Sequence, residues 1–209
     1  MKPRLEKSYH AGLSNIGAKF RRQRVVTQSA RRTCRRSNPI CLVNVRADCY
    51  SGHVKTNAVR ILEQRGVAYR LANYEVGEEH ADATSVARKV GMPPEQVFKT
   101  LVCRADGGGL CFAIVPANTE LDLKVLAKAV GERKASPVPL KEVQPLTGYV
   151  RGGVTVLGAK KAFRAVIDAT ALLFEEISVS AGARGTQVIL RPQDYVAVTQ
   201  ASVVEDLGR

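Results

Sequence analysis

Val97-Phe98-Lys99-Thr100-Leu101-Val102-Cys103, then Asp106-Gly107-Gly108-Gly109, then Leu110-Cys111-Phe112-Ala113-Ile114-Val115, reads as a strand, a turn and a return strand. Both apolar runs are short and rich in β-branched and aromatic residues. The glycines between them admit the positive φ angles that a tight reversal needs. An antiparallel hairpin therefore sits at the centre of the chain.

Helical signals flank the hairpin. Thr56 is placed to cap a helix carrying Ala58, Ile61, Leu62 and Arg65, with Gly66 as its stop. A second helix starts near Ala83, with Val86, Ala87 and Val90 on one side, and ends at Gly91, Pro93 and Pro94. Asp122 opens a third, bearing Val125, Leu126, Ala129 and Val130 and stopped by Gly131. Pro192 suits the first turn of a short one. Further strands are expected at Val67–Leu71, Phe163–Ile167, Ile177–Val179, Val188–Leu190 and Val203-Val204. Pro137, Pro139 and Pro145 punctuate the stretch between the third helix and a glycine-rich loop, Gly148 to Gly158. Strands and helices mixed in this way predict one α/β domain, with a mixed, partly antiparallel, curved sheet and surrounding helices.

The 209 residues, 45% hydrophobic and 24% charged, suffice for one good core. No apolar run approaches the ~20 residues of a membrane-spanning helix, and no repeat period is visible. The formal charge of +13 is lopsided. Residues 1–50 hold 12 Lys+Arg against 2 Asp+Glu, leaving 20 against 17 for the rest. The boundary is set near residue 52, with 1–51 read as a basic, disordered arm and 52–209 as the folded domain. Arg21-Arg22-Gln23-Arg24 and Arg31-Arg32-Thr33-Cys34-Arg35-Arg36 leave three readings of the arm open. It is a leader or start-site artefact, a polyanion-binding tail, or a transit peptide.

The five cysteines, Cys34, Cys41, Cys49, Cys103 and Cys111, are odd in number and lack C-x-x-C spacing. Neither a disulfide framework nor a zinc site is expected, and reduced thiols in a cytoplasmic protein are. Cys103 and Cys111 lie in apolar runs, where a buried inert thiol is the usual outcome. The histidines are His10, His53 and His80, the last in a polar loop beside Glu78 and Glu79, so no histidine base serves a catalytic triad.

Two features remain. Lys99 interrupts a strand whose faces are otherwise apolar. It either snorkels to water from an edge or holds its ammonium against a bound carbonyl or phosphate. The loop Gly148-Tyr149-Val150-Arg151-Gly152-Gly153-Val154-Thr155-Val156-Leu157-Gly158 is either a tight turn or a cradle whose backbone N–H groups approach an oxyanion. Gly153 and Gly158 have P-loop spacing, but Ala159 stands where its lysine belongs and no Ser/Thr follows Lys160, which excludes that reading.

Five blocks now appear in a familiar order: Val97–Val102, Leu121–Lys124, Thr147–Gly153, Gly158-x-Lys160-Lys161 and Val179–Gly185. Over Val54 to Leu207 the chain resembles the YbaK/EbsC proteins, free-standing relatives of the editing domain of bacterial prolyl-tRNA synthetase. The resemblance implies that family's editing-domain fold and a deacylase acting in trans. It would clear cysteine from tRNA(Pro) and act on Cys-tRNA(Cys). No cofactor and no metal are implied; the partners implied are aminoacyl-tRNA and prolyl-tRNA synthetase, with no membrane. Lys99 takes the place of the essential lysine. Gly152 is the first glycine of the turn lining the amino-acid pocket, and Tyr74 matches a site tyrosine. Gly153, Thr155, Gly158 and Lys160 complete the expected substrate-binding set. Backbone N–H groups at Gly152 and Gly153 are expected to hold the oxyanion. With no protein nucleophile in the family, the substrate's own thiol is expected to attack the ester. Where the family reads Gly-Gly-x-Ser-Pro-x-Gly, this chain has Thr155 and Val156, which leaves the choice of amino acid open, Ala-tRNA(Pro) included. A non-catalytic module that binds tRNA or the synthetase is the other alternative.

Overall fold

The structure, a computed structural model, describes residues 55–77, 82–159 and 163–209. The basic arm, Cys34, Cys41, Cys49, all three histidines and Lys160 lie outside the described residues. In chain order the elements are α1 (Asn57–Gln64), β1 (Tyr69–Asn73), α2 (Ala83–Val90), β2 (Phe98–Ala105), β3 (Leu110–Pro116), α3 (Leu123–Ala129) and β4 (Ala135–Pro137). They continue with α4 (Leu140–Thr147), β5 (Arg164–Asp168), β6 (Ile177–Ser180), β7 (Thr186–Leu190), α5 (Pro192–Thr199) and β8 (Ser202–Val204). The mixed α/β reading holds, and the strands divide between two sheets.

The central hairpin is β2 against β3, with Lys99 opposite Val115 and Cys103 opposite Cys111. Its turn closes as the glycines suggest: Gly108, at φ +81°, donates to the Ala105 carbonyl at 2.8 Å. β4 pairs with the far end of β2, while β5 lies parallel to β3 and β8 parallel to β5. The five-stranded order is β4-β2-β3-β5-β8. The other sheet is antiparallel, β1-β7-β6. The two sheets touch where a parallel bridge joins Val97, the residue before β2, to Ser178.

β3 is buried on both faces, as its unbroken apolar run requires. Phe112 and Ile114 face the main core, with Leu62 of α1, Val179 and Val188 of the smaller sheet, and Tyr195 of α5. Cys111, Ala113 and Val115 face the opposite way, against Leu126 and Val130 at α3 and Leu207. A third cluster sets Val86, Ala87 and Val90 of α2 against Val97 and Ile189.

The expected caps form. The Thr56 hydroxyl accepts from Val59 N, and the Asp122 carboxylate from Lys124 N and Val125 N. α2 ends on Gly91 in the left-handed region. Two elements escape the sequence reading. β4 is three residues ending on a proline. α4 carries Pro145 inside it, a position that costs a helix one backbone hydrogen bond. At its end the Thr147 hydroxyl donates to the Val143 carbonyl at 2.7 Å and Gly148 N to the Gln144 carbonyl at 2.8 Å.

Candidate functional site

β4 pairs only with Cys103–Ala105, so the first half of β2 has an open edge. A cleft of about 760 Å³ runs along it. Its walls are β2 from Val97 to Val102, the loop at Arg151–Val154, the β6–β7 turn from Ser180 to Arg184, and the start of α4. Tyr74 and Asp82 close one end. Valine, leucine and alanine line much of it, interspersed with Tyr74, Asp82, Lys99, Thr100, Arg151, Ser180, Arg184 and Gln187.

Lys99 lies half-buried on this wall. After β3 the chain turns back, with Ala117 N on the Val97 carbonyl at 2.7 Å. That reversal brings two carbonyls to the amine: Lys99 Nζ donates to Ala117 O at 3.1 Å and to Thr119 O at 2.5 Å. An ammonium carries three N–H donors; the third meets no acceptor among the described residues. Burial pushes the Lys99 amine below its ordinary value, opposed by the charges of Glu120 and Asp82. The side chain is anchored to backbone rather than left to snorkel.

Gly152 sits on the same cleft at φ +83°, a conformation costly for any residue with a Cβ. The turn it occupies is closed by Gly153 N donating to the Val150 carbonyl at 2.9 Å. This corrects the expected oxyanion cradle. The Gly153 N–H is committed to the turn, whereas the Gly152 and Val154 N–H groups have no protein acceptor among the described residues. Gly153 itself is buried, packed on the Ala183 backbone.

Tyr74 reaches the cleft because β1 is tied to the β6–β7 turn: Tyr74 N donates to Gly185 O at 2.8 Å. A Cβ at Gly185 would stand 3.1 Å from the Tyr74 carbonyl, so the close approach needs glycine there. Thr155 is fully buried and its hydroxyl accepts from Leu157 N at 3.3 Å, behind the cleft wall and outside its lining. Gly158 packs on Asn57 of α1 and lines a separate cavity of about 580 Å³ with Phe112 and Phe163. Of the expected set, then, Lys99, Tyr74 and Gly152 share one cleft, Gly153 and Thr155 support it from behind, and Gly158 lies elsewhere.

The cleft also holds residues the sequence reading did not assign: Asp82, Arg151, Ser180, Arg184 and Gln187. Asp82 caps α2, and its carboxyl is held down to about 2 by hydrogen bonds from Ser85 and Thr84. Arg184 Nε donates to the Arg151 carbonyl at 2.7 Å, tying the two glycine-bearing turns together. The signal was an arginine beside glycine in each of two separate blocks. Among the described residues, no group of three or more His, Cys, Asp or Glu side chains is placed to hold a metal ion, and no helix is long and apolar enough to cross a membrane.

The α/β domain thus holds a lysine anchored to backbone and a glycine turn on the walls of one cleft. Residues 77–198 match the family model for the aminoacyl-tRNA editing domain, and the chain belongs to that family. It is 40% identical over 151 residues, 72% of this chain and 92% of the relative, to the "Putative Cys-tRNA(Pro)/Cys-tRNA(Cys) deacylase EbsC" of Enterococcus faecalis. It is 34% identical over 153 residues, 70% of this chain and 88% of the relative, to the "Multifunctional Ser/Thr-tRNA deacylase ProXp-y" of Escherichia coli. Among solved structures, one described as "a putative trans-editing enzyme for prolyl tRNA synthetase" covers 73% of this chain and 98% of its own. It does so at 25% identity with a TM-score of 0.63.

Proposed function

We propose that residues 52–209 form a trans-editing deacylase that removes cysteine from mischarged tRNA(Pro), and from Cys-tRNA(Cys), in the cytoplasm. It needs no cofactor, and prolyl-tRNA synthetase is the partner that delivers mischarged tRNA. The observation that carries this reading is the shared cleft of Lys99 and Gly152. The third Lys99 N–H, with the Gly152 and Val154 N–H groups, offers donors to an ester oxygen as it gains charge.

Cysteine is favoured over serine or threonine by the apolar part of the lining, away from Thr100, Ser180 and Gln187. Val97, Leu101, Val138, Val143 and Val154 present apolar walls. A hydroxyl buried there without a partner costs roughly 1–3 kcal/mol, and a thiol much less. No protein nucleophile paired with a base lines the cleft among the described residues, and a thiol-assisted route uses the substrate's own nucleophile. The cysteinyl thiol, with an ordinary pKa near ~8.5, ionises more readily beside Lys99. Its sulfur attacks the ester carbonyl. A C–S bond forms, the bond to the ribose oxygen breaks, and the proton lost from sulfur ends on that oxygen. The tRNA leaves with a free terminal hydroxyl, and water opens the thiolactone.

A deacylation panel with Cys-, Ser-, Thr-, Ala- and Pro-tRNA(Pro), extended to S-methyl-Cys-tRNA(Pro), tests this. Fast loss of cysteine with S-methylcysteine left in place is the expected result. Equal cleavage of both cysteine forms would replace thiol attack by water attack. No cleavage of any ester would favour the binding module. Removing residues 1–51 is expected to leave cleavage intact.

A further inference from the structure

Arg151 and Arg184 lie on the cleft with no acidic partner among the described residues. Arg70 pairs with Glu176 and Arg104 with Glu142, whereas Arg151 and Arg184 sit on the cleft wall. Arg184 is exposed, yet its Nε is fixed on the Arg151 carbonyl, which fixes the direction of its guanidinium and leaves the two terminal nitrogens open. Arg151 is exposed too, and its side chain meets no acceptor among the described residues. Both line the cleft beside Gly152, whereas the acidic groups that act on Lys99 are Asp82 and Glu120. Two open guanidinium forks at the rim of an apolar cleft suit a phosphate, which accepts paired N–H donors, better than a carboxylate already present in the protein.

We infer that Arg151 and Arg184 form a subsite for the phosphodiester that precedes the terminal nucleoside of the tRNA, the anion nearest the ester. This rests on the deacylase reading, since the ester must lie at Lys99 for that phosphate to fall at the rim. Lys99 then serves the reacting end and the two arginines set how deep the 3′ end enters.

The test is binding of the full-length protein to the trinucleotide CCA and to adenosine, measured by calorimetry across a salt series, with Arg184→Lys and Arg151→Gln. Arg151→Gln keeps the backbone carbonyl that holds Arg184, so it reports on the subsite even where Arg184→Lys disturbs the turn. Each variant is expected to weaken CCA binding about tenfold. Arg151→Gln, which removes a charge, should also flatten the logarithmic salt slope by about 0.7, whereas Arg184→Lys, which keeps the charge and loses only the paired donors, should leave the slope in place. The preference for CCA over adenosine shrinks accordingly. Unchanged CCA affinity and slope in both variants would overturn the subsite. So would an equal loss for adenosine, which would place the arginines at the nucleoside. A wild-type protein that binds CCA through these arginines but cleaves no aminoacyl-tRNA keeps the subsite and sinks only the deacylase reading.

Discussion

Lys99→Met separates the work of the ammonium from its place in the fold. Methionine keeps most of the stem volume and removes the charge. The catalytic loss is that of a preorganised donor in an apolar cleft, about 3–4 kcal/mol, which is two to three decades in rate. The structural loss is smaller. Two carbonyls, Ala117 O and Thr119 O, lose a charged donor. The cleft admits water to them, and the variant no longer desolvates an amine, so stability should move by no more than about 2 kcal/mol. The pH dependence carries a further signature. Burial holds the folded amine below 10.5, its ordinary value. Between those two pH values the unfolded chain binds more protons than the folded one, so wild-type stability rises with pH relative to the methionine variant. The amine's contribution to activity runs the other way, because the protonated amine is the donor and is lost as pH climbs through the depressed value, against the rise that ionisation of the substrate thiol brings. Single-turnover release of labelled cysteine from Cys-tRNA(Pro), beside urea unfolding of both proteins from pH 7 to 10.5, measures both trends. A folded Lys99→Met protein within about threefold of wild-type rate would refute the assignment of Lys99, and with it the proposed chemistry.

Two further outcomes follow from the packing. Gly158→Ala should destabilise by roughly 2–4 kcal/mol, because its φ of +77° is strained for alanine and the new Cβ would stand 2.9 Å from Asn57 Cβ and 3.1 Å from the Asn57 backbone. Thermal unfolding should drop by several degrees while the folded fraction keeps its rate, as expected of a residue that braces α1 and lies off the cleft; a normal melting temperature would contradict the packing. Cys103 and Cys111 should resist iodoacetamide at pH 8 in the native protein, since burial pushes the Cys103 thiol up to about 12 and raises Cys111 as well. Peptide mapping by mass spectrometry distinguishes them from the three cysteines of the arm, and native labelling at either would show that the hairpin opens.

What the sequence made legible was local. Thr56 and Asp122 announce helices because a short side-chain oxygen before an apolar period has one good use. Leu110–Val115 announces a central strand because only burial on both faces tolerates that run. α4 stayed hidden because Pro139 and Pro145 read as breaks, whereas Pro139 stands at its N-terminal cap and Pro145 inside it. The cleft was less legible still. The carbonyls that anchor Lys99 lie 18 and 20 residues further on, and depend on a reversal after β3 that no periodicity encodes. The arginine rim needs two turns, 33 residues apart, to meet. Alternation along β2 set Lys99 among apolar neighbours, but only the short reach of β4 shows that the edge beside it is open.

The departure at Thr155-Val156 shows how misleading proximity in sequence is for specificity. Those positions suggested an altered pocket wall. Thr155 is instead fully buried with its hydroxyl turned to Leu157 N, and Val156 lines the other cavity. Val154 is the member of that loop on the cleft. On the proposed reading, the amino-acid side chain meets a wall that the Ser-to-Thr and Pro-to-Val changes leave alone. An apolar wall has limited power, since it rejects a hydroxyl isostere by only about 100-fold. Discrimination beyond that has to come from the reaction. The proposed step, which needs a sulfur nucleophile, would supply it, because serine is close in size yet offers a far poorer attacking atom. The S-methyl substrate thus asks the sharper question: it keeps the apolar fit and removes only the nucleophile, so its resistance would place specificity in the bond-making step rather than in the pocket.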